Sequence, residues 1–153
     1  MIVAGVGTRT SATADEIVMA VTDCCRRNGI DPAEVAVLAS LDRAQTMSAM
    51  RAAALRLGAA TGASTPDATS EDRSVTGRAG RATLVVFSAT QLQRHATGCS
   101  TFSDRSMAAT GVPSVAEAAA LAAAGPDGML LAPRVAYATV TVALAIGSGA
   151  STP

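Results

Sequence analysis

The chain has 153 residues and a formal net charge of zero, and 49% of its residues are hydrophobic. This length suits one domain, because a chain of about 150 residues buries roughly 70% of its unfolded surface in a single core. Twelve acids balance twelve bases, so the chain lacks the excess of positive charge that is typical of nucleic-acid-binding proteins. All the bases are arginine, and the absence of lysine excludes Schiff-base and lysine-base mechanisms.

Cysteine and aromatic residues narrow the function classes further. Cys24, Cys25 and Cys99 form an odd set without Cys-x-x-Cys spacing, which argues against a disulfide framework or a zinc site. Three aromatic residues are too few for a nucleic-acid stacking platform. The sequence shows no charged leader, and its longest apolar segment, 135–146, is too short and too rich in threonine to span a bilayer. We therefore expect a soluble, cytoplasmic protein without a metal, a cofactor, a nucleic-acid partner or a membrane partner.

The chain opens with the pattern of a strand, a glycine turn and a helix. Ile2 to Ala4 is typical of a buried strand, and the glycines Gly5 and Gly7 permit a sharp turn or close approach to a ligand. Thr13 and Glu16 predict a capping box at the start of a helix that ends near residue 28. Along this helix the cysteine pair is expected to fill the core.

The loop between the first strand and the first helix is a candidate anion site. Thr8, Arg9 and Ser11 follow the carboxyl end of a strand and precede a helix amino terminus, where free amides and the helix dipole favour an anion. A dinucleotide fingerprint would need a glycine where Thr10 stands, and a P-loop would need a lysine. For an isolated Gly-x-Gly, a plain turn is the preferred interpretation.

The next elements repeat the strand and helix order. Residues 35–41 form an apolar run of strand length, and Asp42 follows at its carboxyl end, next to Arg43. Residues 46–57 have the apolar stripe of a helix. If the first two strands are parallel neighbours, Asp42 lies beside the first loop.

Residues 58–82 are small, polar and charged, and they predict a long disordered loop, with an active-site lid as the alternative. A third strand follows at 83–87, and Ser88 opens a short helix. His95 could be a general base, but an exposed histidine at a helix end is the preferred interpretation.

The clearest local pattern follows an irregular segment at 96–109. Thr110 and Gly111 precede Ser114 and Glu117, which predict a second capping box and an alanine-rich helix that runs to residue 124. This helix start would also present amides to an anion.

Two last strands are predicted at 129–132 and 138–146, joined by a connection that carries Arg134. In the final strand Thr141 lies on a face of threonines and alanines that could pack under a helix or line a cleft. Residues 148–153 are expected to form a flexible tail. The elements predict one α/β domain over 1–147, a three-layer α/β/α sandwich around a small, mostly parallel or mixed sheet of about five strands.

Four segments in this order resemble the CobE and CbiG carboxy-terminal domain family of cobalamin biosynthesis. They are GVGTRTSATADEI, LASLDR, TGVPSVAEAAAL and LLAPRVAYATVTVALA. The resemblance covers nearly the whole chain apart from residues 58–82. It implies the same three-layer fold and a role in assembling the corrin ring, with a precorrin or corrin intermediate as the partner.

The family's motif positions fall on particular residues of this chain. The resemblance implies substrate binding at the following positions: Gly5, Gly7, Arg9, Thr110, Gly111, Ser114 and Thr141. It also aligns the family's aspartate and glutamate with Asp42 and Glu117, the candidates for general acid or base. A basic position before the last strand is kept as Arg134, whereas Ala44 and Met47 stand where relatives often carry a lysine and an acid.

Three hypotheses for function follow from the residues and the resemblance. The chain could bind and protect a pathway intermediate as a CobE-like protein, with Thr8, Arg9, Ser11 and Arg134 holding carboxylates by charge-assisted hydrogen bonds. It could instead be a cobalt-precorrin-5A hydrolase-like enzyme that opens a lactone and releases acetaldehyde. A non-catalytic domain that docks on other pathway enzymes is the third. The departures from the family pattern favour intermediate binding over catalysis by a small margin. The sequence therefore does not decide whether the chain is an enzyme.

Overall fold

The computed structural model describes residues 1–61 and 82–149 of the chain. The helices are α1 (Ala14–Arg27), α2 (Ala44–Thr61), α3 (Ala89–Gln93), α4 (Asp104–Thr110) and α5 (Val115–Ala124), with short 3-10 turns at Pro32–Glu34 and Ala96–Gly98. The strands are β1 (Ile2–Thr8), β2 (Val35–Leu41), β3 (Thr83–Phe87), β4 (Met129–Leu130), β5 (Val135–Ala136) and β6 (Val140–Ile146).

The strands form one mixed sheet in the order β3-β2-β1-β6-β4, with β5 also paired to β6. Strands β1, β2 and β3 are parallel, and β6 runs antiparallel to β1. The carboxyl ends of β1 and β2 therefore lie at the same edge of the sheet as the amino end of β6. In α/β proteins this edge is where ligands bind.

Strands β4 and β5 are two parts of an interrupted edge strand beside β6. Met129 pairs with Ile146, and Ala136 pairs with Thr141, so the two strands contact opposite ends of β6. A tight turn after β5 is closed by the Tyr137 amide, which donates to the Val140 carbonyl at 2.7 Å. This hairpin places residues 136–141 above the edge where β1 and β2 end.

One face of the sheet is covered by α1 and α2. Its core is made of large aliphatic side chains from both helices and from the strands, which are fully or almost fully buried: Val6, Ile17, Val21, Leu38, Met50, Leu57, Val140, Val142 and Leu144. Cys24 and Cys25 belong to this core, as expected, and burial raises the pKa of both thiols, that of Cys25 to about 12. Neither thiol is poised to react.

The other face is covered by α5, with α3 beside it, and is built from small residues. Its core contains many alanines of α5 and of the strands: Ala39, Ala116, Ala118, Ala119, Ala120, Ala123, Ala143 and Ala145. A methyl group at Gly5 would lie 2.0 Å from the Ala116 carbonyl oxygen and 2.6 Å from the Ala120 nitrogen. Helix α5 therefore rests directly on the backbone of β1. The three-layer α/β/α fold is confirmed.

Several predicted elements are corrected by the structure. The segment 96–109 was expected to be irregular, but it contains most of helix α4. The Ser103 side chain caps this helix by accepting a hydrogen bond from the Ser106 amide. Helix α2 continues to Thr61, so the loop expected at 58–82 begins later, and its remainder at 62–81 lies outside the described residues, as does most of the predicted tail. Both predicted last strands are shorter, because β4 ends at Leu130 and β6 begins at Val140, and the connection between them contains β5, which was not predicted.

Among the described residues, no single helix has the length and hydropathy needed to cross a bilayer. Helices α4 and α5 pass that test only when taken together, across a bend of 65°.

Candidate functional site

A cleft of about 370 Å³ opens at the sheet edge where β1 and β2 end and β6 begins. Its floor is formed by the last residues of β1 and β2 and the first residues of β6. One wall is α4 and the amino end of α5, and the other is the hairpin at 136–141. The volume lies near the lower end of the range of about 300–1,000 Å³ that is typical of small-molecule sites.

Four arginines line this cleft, and they come from four separate segments. Arg9 follows β1, Arg43 follows β2, Arg105 lies in the first turn of α4, and Arg134 precedes β5. Their positions converge only because the fold brings these segments to one sheet edge. None of the described residues that line the cleft is an aspartate or a glutamate. The cleft therefore carries a concentration of positive charge in a protein whose net charge is zero.

Backbone hydrogen bonds hold two of these arginines in place. The Arg9 amide donates to the Thr139 carbonyl at 2.9 Å, which ties the first loop to the hairpin. The Arg43 guanidinium donates to the Thr8 carbonyl at 3.0 Å, so it lies over the end of β1. Within the described ranges, the ion pairs formed by arginine are Arg27 with Asp23 and Arg56 with Asp15, and neither involves a cleft arginine.

The amino end of α5 adds backbone donors to the cleft. Val115 and Ala116 line it, and their amides precede the first intrahelical hydrogen bond, which the Ala118 amide makes to the Ser114 carbonyl. This helix end lies close to β1, since a methyl group built at Gly7 would be in ordinary contact with the Val115 Cβ at 3.6 Å. The helix dipole and the free amides thus point at the same space as the arginines.

Glu117 lies in the first turn of α5, but it does not line the cleft, and its carboxylate bonds to residues 100–101 and 134 instead. The residue is fully buried. Its Oε1 accepts from the Ser100 and Thr101 amides, both at 2.9 Å, and its Oε2 accepts from the Arg134 amide at 3.0 Å. The hydroxyls of Ser100 and Thr101 also donate to it, each at 3.0 Å.

Burial alone raises the pKa of Glu117, but the donors from Thr101, Arg134 and Ser100 outweigh it and leave the pKa below the ordinary value of 4.5. The group is therefore a saturated carboxylate anion.

The capping box predicted at this helix is half formed. The Ser114 hydroxyl accepts from the Glu117 amide at 3.2 Å, while the glutamate side chain bonds to other segments instead of returning to Ser114. The predicted box at Thr13 and Glu16 is complete.

The hairpin wall is fastened to α1. The Tyr137 hydroxyl donates to Asp23, and the Thr139 hydroxyl donates to Glu16 at 2.9 Å. Burial and the bond to Asp23 raise the pKa of Tyr137, and the same bond is the main cause that lowers the pKa of Asp23. The phenol is thus neutral and already committed as a donor, so it is not a ready proton acceptor.

Half of the predicted site residues line the cleft. They are Gly7, Thr8, Arg9, Thr110, Arg134 and Thr141. The amino end of α1, which the sequence predicted beside an anion site, is not among the lining residues. Instead its capping box uses the Glu16 amide and the Thr13 amide internally.

The other predicted residues lie outside the cleft. Gly5 is covered by α5, and Gly111 ends α4 with a φ of 77°, a conformation that favours glycine. Ser114 and Glu117 are buried, whereas Ser11 and Asp42 are exposed. The geometry therefore brings neither of the two candidate acids, Asp42 and Glu117, to the cleft.

Sequence reasoning missed two of the four arginines. Arg43 was placed at the correct sheet edge but not included in the site. Arg105 could not be located because α4 was read as irregular, although Ser103 followed by Asp104 is a typical helix start. Within 1–61 and 82–149, no three histidine, cysteine or acidic side chains come close enough to hold a metal.

The chain was compared with known families and structures. The family model described as the cobalamin synthesis G C-terminus matches residues 2–145. No protein of curated function matches the sequence.

Solved structures that are similar to the chain include the following three. The crystal structure of a cobalamin biosynthesis protein, chiG, from Agrobacterium tumefaciens is 32% identical with a TM-score of 0.64, and the match covers 97% of this chain and 99% of that one. The crystal structure of CobE, a protein from the cobalamin (vitamin B12) biosynthetic pathway, gives 23% identity and a TM-score of 0.76 over 95% of this chain and 92% of that chain. The crystal structure of a putative cobalamin biosynthesis protein G homolog from Sulfolobus solfataricus gives 17% identity and a TM-score of 0.55. The match covers 97% of this chain but 37% of that longer one.

Proposed function

Since the chain belongs to the cobalamin synthesis G C-terminus family and is a cobalamin biosynthesis protein of the CobE and CbiG type, we propose that it binds a precorrin or corrin intermediate by that molecule's carboxylate arms. The binding site is the arginine-lined cleft at the end of β1 and β2.

The observation that carries this proposal is the convergence of positive charge and free amides on one cleft. Precorrins carry acetate and propionate groups around a large ring. Arginine recognises carboxylates through paired, charge-assisted hydrogen bonds, and Arg9, Arg43, Arg105 and Arg134 all line the same space. The amides of Val115 and Ala116 add two donors, and no acidic lining residue among those described opposes an anion.

The size and lining of the cleft indicate which part of the ligand enters it. A corrin with its arms is larger than the drug-sized molecules that fill cavities of about 300–1,000 Å³. Tyr137 is the one aromatic residue among the described lining residues, and its hydroxyl is bound to Asp23. The ring is therefore expected to lie across the open mouth, with one or two carboxylate arms inserted.

Binding is favoured over lactone hydrolysis by the chemistry of the lining. The described lining residues include no aspartate, glutamate, histidine or cysteine. The Ser40 hydroxyl, which faces the cleft, is already donated to the Val6 carbonyl at 2.7 Å. A general acid or base with access to a bound lactone is thus missing from the described part of the cleft. We propose a carrier or protecting role in the cytoplasm, where the three free cysteines of the chain would stay reduced.

The proposal is tested by titrating the purified protein with cobyrinic acid, a corrin with free carboxylates, and following its visible absorption. We expect saturable binding that weakens with added salt, and no binding of the fully esterified corrin. The variant Arg43→Ala with Arg134→Ala should bind at least tenfold more weakly. The matched control is Arg51→Ala, which removes an exposed arginine of α2 that does not line the cleft.

The alternatives give different results. Release of acetaldehyde from a lactone-bearing precorrin would establish the hydrolase. Equal affinity for the acid and the ester would show that the protein does not recognise the ligand by its carboxylates. The absence of any corrinoid binding would leave the docking domain as the remaining hypothesis.

A further inference from the structure

We propose that Glu117 is a positioning residue that fixes the spacing of Arg105 and Arg134 across the cleft. Its effect on ligand affinity rests on the proposed function, whereas its effect on the two chain segments does not.

Glu117 joins two segments that are distant in sequence. Residues 100–101 donate four hydrogen bonds to its carboxylate, from two amides and two hydroxyls. The Arg134 amide donates a fifth at 3.0 Å. A single buried side chain of α5 thus holds both segments against the helix whose amino end lines the cleft.

Each of these segments carries a cleft arginine. Residues 100–101 lead directly into Ser103, which caps α4, and Arg105 lies in the first turn of that helix. The Ser103 amide also donates to the Pro113 carbonyl at 2.9 Å, which fixes the start of α4 against the segment before α5. Arg134 itself is the donor on the other side. By contrast, Arg43 lies after β2 and bonds to the Thr8 carbonyl, without contact to Glu117.

The role requires a carboxylate and not merely a side chain of similar size. All five groups that reach Glu117 are donors, and an ionised carboxylate is an acceptor at both oxygens. In Glu117→Gln, the amide nitrogen would face donors at one of the two positions, so one segment would lose its tether. We expect the spacing of Arg105 and Arg134 to become variable as a result.

The binding experiment compares the effect of Glu117→Gln in backgrounds that keep or lack particular cleft arginines. Glu117→Gln is expected to weaken cobyrinic acid binding roughly tenfold in the otherwise unchanged protein. In a background that lacks both arginines (Arg105→Ala with Arg134→Ala), the same change should cost less than threefold, because both positioned groups are already absent. In the Arg43→Ala background the full tenfold loss should remain, since sites that share no partner behave additively.

Hydrogen exchange tests the tether without any ligand. In Glu117→Gln, the amides of the segment that faces the new nitrogen, either Arg134 or Ser100 and Thr101, should exchange at least tenfold faster, while amides in the middle of β1 and β2 are unchanged. Glu34→Gln is the matched control, because Glu34 is exposed and lies at the opposite end of β2. If Glu117→Gln does not fold, Ser100→Ala, which removes one hydroxyl donor and keeps the charge, should give the same pattern with smaller changes.

The results separate the two proposals. Unchanged exchange at these three amides would overturn the tether whatever the ligand data show. Faster exchange together with equal affinity loss in all backgrounds would overturn the positioning role. Faster exchange in a protein that binds no corrinoid would keep the tether and overturn the proposed function instead.

Discussion

On one face of the sheet the core is made of large aliphatic side chains from α1 and α2, whereas on the other α5 packs through alanines onto the strands. The two faces also differ in their polar groups. The α5 face contains the buried Glu117 with five hydrogen bonds, whereas the buried polar side chains described on the other face, Ser40 and Thr46, are uncharged.

This difference shows how the cleft is made. Because α5 lies directly over Gly5, its amino end reaches the end of β1, and the chain segments tied to Glu117 are drawn to the same edge. The face under α1 and α2 supplies stability in the usual way, by burial of large side chains. The α5 face, through Glu117, holds the segments that carry Arg105 and Arg134. Substitutions on the two faces should therefore have different consequences.

The largest effect is expected for Gly5→Ala. The new methyl group would overlap the Ala116 carbonyl oxygen and the Ala120 nitrogen, which are backbone atoms and cannot move without shifting α5. We expect a loss of about 4 kcal/mol in the free energy of unfolding, above the usual range of about 1–3 kcal/mol for overpacking. Urea unfolding measures it. Gly7→Ala is the control, since its methyl group would lie 3.6 Å from the nearest atom, and equal losses in the two variants would show that α5 does not rest on Gly5.

On the opposite face, Leu144→Ala should cost about 3 kcal/mol, because it removes a fully buried side chain from the aliphatic core. Corrinoid affinity, measured where the variant is fully folded, should stay within twofold of the wild type. A large loss of affinity in the folded variant would mean that the α1 face also sets the cleft, and the contrast between the faces would then fail.

Glu117→Gln should lower stability by about 2 kcal/mol at neutral pH, since charged hydrogen bonds are lost and a buried donor is left without an acceptor. The folded pKa of Glu117 is lowered, so its contribution is complete above its ordinary value of 4.5 and disappears as the pH falls through the folded pKa. The difference between wild type and variant should therefore be constant from pH 6 to 8 and shrink below pH 4.5. Unfolding curves across this range measure it, and a difference that grows towards acid pH would contradict the assignment.

The smallest change in stability is expected for Arg105→Ala. This arginine is exposed, so its loss should shift the free energy of unfolding by no more than about 0.5 kcal/mol. Affinity for cobyrinic acid should nevertheless fall roughly tenfold, as expected when one charge-assisted pair is removed. Melting and titration of the same preparation give both values, and an unchanged affinity would remove Arg105 from the site.

Sequence patterns predicted the elements that rest on local chemistry. The β2 run at 35–41, the strand at 83–87 and the capping box of Thr13 and Glu16 are where they were expected. The alternation along β6 also correctly separated the aliphatic face from the alanine face. Local rules suffice in these cases because hydrophobic period and helix caps are properties of neighbouring residues.

The site was predicted only in part, because it depends on contacts between distant segments. Glu117 matches the local pattern of a capping box, yet its carboxylate bonds to residues 100–101 and 134, which no local rule identifies. Asp42 was expected at the sheet edge, and it directly follows the last residue of β2. The residue that lines the cleft, however, is its neighbour Arg43. Which of two adjacent side chains enters a cleft is determined by the packing of the whole domain.

The most direct test of the account is a crystal structure of the protein with cobyrinic acid bound. We predict at least one ligand carboxylate within hydrogen-bonding distance of Arg43, Arg134 or the Ala116 amide, with the ring across the mouth of the cleft. A ligand bound on another surface, with the cleft free of any of its carboxylates, would contradict it.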